Sequence, residues 1–279
     1  MIGFIKVKTK EKLLNNTLKL FMVSLTSFLI KSALIISMLF LTHFSLVSDI
    51  LQSLLLIYNR LIVYFIYSLI IVSLWFFTLL FISGIKMGEK AIYFMQSKGS
   101  NAKFKYLFIF LRPSQSFRAL QLFLKITILK VFWALFAFAP PAFCLSITLS
   151  LYFKEEAYAA VIYTLIIGTV FLTSISCFFY NCCKARYLFA EYYLCTDFEI
   201  SVKEALRKSI DTSQGFIREG VLLRASLFPW ILICLLLIPV FYVIPYTKLT
   251  NAKFVTFSSG LKENLLNIRV SSLLLQNEE

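Results

Sequence analysis

The sequence predicts an all-α fold, a polytopic helical membrane bundle of about five transmembrane helices with two amphipathic cytoplasmic connections. Composition is the first observation behind this reading. Hydrophobic residues make up 59% of the chain and charged residues 15%, against about 45–50% and about 25% in an average soluble domain. Mean hydropathy is +0.82, too high for one water-soluble core to hide. The second observation is a set of uncharged windows long enough to cross about 30 Å of hydrocarbon, which takes about 20 residues. The third is that the basic residues fall between those windows rather than in a domain of their own. The whole chain, 1–279, reads as a single membrane domain.

The elements follow in order. Residues 1–25 read as a basic cytoplasmic tail, with an interfacial amphipathic helix over 10–20. No small-residue cleavage site follows the first apolar run, so an uncleaved tail is expected rather than a signal peptide. The first span is placed at 26–48: residues 32–48 are uncharged, and Lys31 snorkels to the headgroups so that LTSFLI extends the helix backward. Uncharged windows at 61–85, 131–153 and 157–183 give three more spans. The last, 225–247, contains Pro229, Pro239 and Pro245. It fits one kinked span, with the C-terminal tail 248–279 outside, or a re-entrant hairpin that returns the tail inside. One span is the reading taken.

Charge sets the orientation. Residues 1–31 carry six Lys and Arg, 86–130 carry nine and 184–224 carry seven, so 22 of 28 lie on one side. The positive-inside rule makes that side, and the N-terminus, cytoplasmic. The other side has Arg60, and Lys154 beside Glu155 and Glu156.

The chain also repeats itself. SQSF (114–117) returns as SQGF (213–216), and KAIY (90–93) as KARY (184–187), in the same order relative to the spans. A tryptophan follows each SQ-x-F, Trp133 and Trp230. This suggests two units, 26–118 and 119–224, each of two spans and an elbow, related as parallel repeats about an axis along the membrane normal. In the second elbow Ser201 and Glu204 form a capping box. Val202, Ala205, Leu206 and Ile210 mark one helix face, and Glu204 and Lys208 an i,i+4 pair. That face has lipid, bundle or partner to lie on. Within the fourth span Ala160, Thr164 and Gly168 are four apart, a small-residue face expected to pack within the chain, with dimerisation as the alternative.

Residues 184–254 resemble a bacterial membrane family, domain of unknown function nine-seven-five. The matching residues are the tyrosine-rich exit ARYLFAEYYL, then Glu204, Ala205, Ser209 and Gly215, and the ending Pro245, Tyr246, Thr250, Ala252 and Phe254. Phe216 follows Gly215 directly, where the family usually places Lys or Arg before its aromatic. The resemblance implies a multi-span protein of a bacterial cell membrane and no particular activity.

Little in the chain suggests chemistry. The single histidine, His43, has the place of an interfacial residue. No HExxH, Walker A or GxGxxG pattern occurs. The six cysteines lack metal-finger spacing and read as reduced, small hydrophobes. No Asp or Glu lies in any proposed span, which argues against a self-sufficient proton pump. The expectation is therefore no catalytic residue, no metal, no cofactor and no nucleic-acid partner. The leading reading is a non-enzymatic scaffold or accessory subunit. Its basic elbows (Lys90, Lys103, Lys105, Arg112, Arg118, Lys184, Arg186 and Arg224) would contact anionic phospholipids of the bilayer, or a further copy or another membrane or cytoplasmic subunit. The alternative is a permease-type subunit for a small amphiphile or peptide, energised by a partner.

Overall fold

The computed structural model of the chain describes residues 1–14, 16–43, 60–100, 102–153, 159–197, 199–233 and 240–276. Every regular element among them is helical: α1 (Ile2–Leu14), α2 (Thr17–His43), α3 (Arg60–Lys98), a short 3₁₀ helix (Phe104–Leu111), α4 (Pro113–Phe153), α5 (Ala159–Ala185), α6 (Leu188–Thr196), α7 (Val202–Ser213), α8 (Ile217–Ile233) and α9 (Val240–Gln276). Four stretches are long and apolar enough to cross a membrane: Thr17–Thr42, Phe65–Lys98, Pro113–Phe153 and Ala159–Thr196. The protein is a multi-pass helical bundle. Lys154, Glu155 and Glu156, the side chain of His43, Cys234, Pro239 and the charged residues beyond Gly260 lie outside the described positions and side chains.

Helix length is the first surprise. The sequence places an elbow across 86–130, but α3 runs on to Lys98 and α4 already starts at Pro113. Their 39 and 41 residues make rods of about 58 and 62 Å at 1.5 Å per residue, twice the hydrocarbon thickness. Pro113 suits the first helical turn, where its missing N–H costs nothing. Pro140 and Pro141 sit inside α4, which continues through them, as membrane helices tolerate. The true connection is short. Gly99, at φ +96°, ends α3; its N–H and that of Ser100 donate to Gln96 and Met95 carbonyls, a left-handed cap that glycine adopts without strain.

The packed core gathers at the basic end of these rods. Tyr93, Phe110, Phe189 and Phe254 are the largest fully buried side chains. One cluster joins Ile5 and Leu13 of α1, Leu20 and Val23 of α2, Ile92 and Tyr93 of α3, Phe189 of α6, Leu223 and Leu227 of α8 and Leu249 and Phe254 of α9. A second joins Met87 and Ala91, Phe110, Ala119 and Leu122, Ala190 and Leu194, and Val202 and Ala205. By contrast Phe65, Leu69, Val72 and Phe77 of α3, Leu135 and Phe136 of α4, and Ile167 and Phe171 of α5 are exposed. Such surface belongs in hydrocarbon, where apolar side chains need no protein cover.

Four expectations change or sharpen. First, the N-terminal segment is not a free tail: helix begins at Ile2 rather than residue 10, and Ile5, Thr9 and Leu13 are buried. Second, the run 225–247 is not one straight span. Phe254 lies 3.4 Å from where a side chain on Gly220 would begin, whereas one continuous helix would hold the two about 50 Å apart. α8 and α9 therefore lie back against each other, an arrangement that fits the hairpin alternative rather than one continuous span. Third, Ala160, Thr164 and Gly168 are all exposed, and nothing lies within 4 Å of a side chain built at Gly168. α5 turns Ile162, Leu165, Thr169, Thr173 and Ser176 inward instead; the Thr164 hydroxyl is already satisfied by the Ala160 carbonyl at 2.8 Å. Fourth, the α7 face lies on the bundle: Val202, Ala205 and Ser209 are buried. Its capping box is present on the Ser201 side, whose Oγ accepts from the Glu204 N–H at 3.2 Å, and Glu204 pairs with Lys208 at 2.9 Å.

Candidate functional site, a cationic cluster at the basic end

The site begins with two glycines. On α3, Gly84 and Gly88 are one turn apart, and the 3₁₀ helix crosses them. A side chain on Gly88 would meet the Leu107 carbonyl oxygen at 2.0 Å, and one on Gly84 would meet Leu111 at 2.8 Å. This close approach seats the connection against α3 and turns the next residues, Lys86, Glu89 and Lys90, toward the remaining helices.

Two buried carboxylates follow, each held by two lysines. Glu89 is 5% exposed. It accepts from Ser27 Oγ at 2.9 Å, Ser24 Oγ at 3.2 Å and Lys31 Nζ at 3.3 Å, and it pairs with Lys248. Tyr93 closes this network, sharing a 2.7 Å hydrogen bond with Ser24 and donating to the Leu20 carbonyl at 2.9 Å. Glu191, 6% exposed, pairs with Lys86 at 3.3 Å and with Lys90. Each carboxylate thus ties α3 to other elements, Glu89 to α2 and α9 and Glu191 to α6. Breaking such a buried pair by removing one partner costs about 3–5 kcal/mol.

Around Glu191 the cations outnumber the anions. Lys130 of α4, Lys184 of α5 and Arg224 of α8 converge beside Lys86 and act on one another by charge. Lys86 also stands 4.7 Å over the Phe123 ring, and Lys90 5.8 Å over the Tyr192 ring. Arg224 Nη1 is buried without a hydrogen-bond partner among the described residues. Among the described residues, five cations from four helices therefore gather around Glu191; Lys86 and Lys90 already engage it, and both also feel the charge of Glu89.

Of the eight basic residues singled out in the sequence, the structure brings Lys90, Lys184 and Arg224 together here. It does not bring the others: Lys103, Lys105, Arg112 and Arg186 are exposed and Arg118 half-buried, spread over the outside of the same end. Lys86, Lys130, Glu89 and Glu191 were not singled out. The GxxxG spacing of Gly84 and Gly88 was a readable signal for Lys86 and Glu89; nothing local marks Lys130 or Glu191. The repeated tyrosines have matched roles, Tyr93 bonding to α2 and Tyr187 accepting from Trp133 Nε1 of α4 at 3.0 Å.

Compared with known proteins, the chain matches no family model, no curated protein and no solved structure. The resemblance over residues 184–254 rests on its motif residues alone.

Proposed function

We propose that the protein is a non-enzymatic membrane scaffold or accessory subunit of a bacterial cell membrane, and that it holds an anionic phospholipid head group on its cytoplasmic side. The observation that carries this reading is the convergence of Lys130, Lys184 and Arg224 with no acidic partner of their own among the described residues. Like charges held together at the membrane boundary oppose folding unless an anion joins them, and a buried, unpaired guanidinium nitrogen invites a phosphate oxygen. The exposed set of Lys103, Lys105, Arg112 and Arg186 supports the same reading more weakly, at about 1 kcal/mol per near-surface charge toward anionic lipid.

The test is native mass spectrometry of the full chain in detergent, titrated with phosphatidylglycerol or phosphatidylcholine. Wild type should retain phosphatidylglycerol preferentially. The double variant Lys130→Gln/Lys184→Gln should lose about tenfold in that preference, or about 1.4 kcal/mol. Its lipid-free melting temperature should rise, because mutual repulsion is relieved. Unchanged lipid preference in a folded double variant would refute the reading. Reversing Lys103, Lys105 and Arg112 together should change mainly the salt dependence of binding.

A further inference from the structure

A second site lies apart from this cluster, between α2 and the start of α9. It is a cavity of about 610 Å³ lined by Phe21, Leu25, Phe28, Phe241 and Ile244, with Lys31 and Lys248 among the remaining lining residues. Its size falls within the roughly 300–1,000 Å³ of small-molecule pockets. Phe21 and Phe241 meet across it with ring centroids 4.4 Å apart. Phe28 and Phe241 are also exposed, so the cavity opens along the apolar flank of a membrane-crossing helix.

The charges at the cavity define what it accepts. Lys31 and Lys248 share one carboxylate, Glu89. Lys248 also donates to Ser24 Oγ at 3.1 Å. Two ammonium groups and one carboxylate leave a single positive charge beside an aromatic and aliphatic lining. That pairing of one cation and an oily slot complements one anionic group on one hydrocarbon chain. We infer that this cavity binds a long-chain fatty acid, with its carboxylate at Lys31 and Lys248 and its chain along Phe21, Leu25, Phe28 and Ile244.

The probe is oleate, added to the purified full chain and followed by native mass spectrometry, with oleyl alcohol as the uncharged match. One oleate should bind per chain, at least about tenfold more tightly than the alcohol. Ile244→Trp, which fills the cavity and leaves both lysines in place, should weaken oleate about tenfold. A photoreactive fatty acid on the unaltered protein should label peptides from Phe21–Phe28 and Val240–Ile244, a result independent of any variant's folding. Equal affinity for oleate and the alcohol, wild-type affinity in Ile244→Trp, or labelling confined to other helices would each overturn the inference. The Lys130→Gln/Lys184→Gln variant should keep its oleate affinity, so the two proposals can fail separately; joint loss would overturn the claim of a second site.

Discussion

Gly88 carries the most exacting contact at the scale of single residues. The Leu107 carbonyl oxygen lies 2.0 Å from where its side chain would begin, and backbone cannot swing aside as a flexible side chain can. Gly88→Ala should therefore lower stability by about 3 kcal/mol, the upper part of the usual overpacking range. Gly168→Ala, with open space around it, should cost nothing measurable by the same thermal or denaturant unfolding assay. The contrast shows what was legible at this scale. Both glycines belong to small-residue patterns of four-residue spacing, and the pattern says only that a close approach is allowed. Which pattern is used depends on what crosses it, and the 3₁₀ helix at 104–111 has no periodicity that announces its path. The same holds for Glu191: a glutamate between Ala190 and Tyr192 carries no local mark of the two lysines, a hundred residues earlier, that enclose it.

Among elements, α1 and α9 make the contact that the sequence concealed most. The sequence reads residues 1–25 as a basic tail with an interfacial helix over 10–20, although Ile5 and Leu13 are buried in one cluster with Leu249 and Phe254 of α9; α1 has little amphipathic contrast to announce that burial. Lys253 sits in that joint, buried, its Nζ donating to the Lys8 carbonyl at 2.6 Å. Burial first, and the charges of Lys12 and Lys8 second, lower its pKa from 10.5 to about 8. The sign follows from linkage. Between about 8 and 10.5 the unfolded chain holds a proton on this group that the folded chain has released, so Lys253 adds stability as pH rises through that window. Amides of α1 should exchange more slowly at pH 9.5 than at pH 7.5 once corrected for intrinsic rates, and Lys253→Met should remove the difference. A wild-type joint indifferent to pH would contradict this account. The amphipathic α7, in contrast, was legible in nearly every detail, because its cap, charge pair and apolar face are all encoded within 13 neighbouring residues.

For the whole molecule, class and the main spans were legible because hydropathy is a property of each window by itself. Topology at the last apolar run was not, because proline permits both a kink and a reversal. The structure places Gly220 beside Phe254, and this makes a direct prediction about sides. In a background without native cysteines, single cysteines at Lys103 and at Gly260 should react with an impermeant maleimide from the same side of a sealed vesicle. Labelling from opposite sides would restore a single crossing span. The doubled-back run also has a consequence in time. α1 is made well before α9, with Lys8 and Lys253, 245 residues apart in the chain, as touching points. At a synthesis rate of about 5–20 residues per second, roughly 12 to 50 s pass before α1 meets its mate. Through that interval Ile5 and Leu13 have no α9 to cover them, so α1 must wait, resting on bilayer or chaperone, for α9 to close over it.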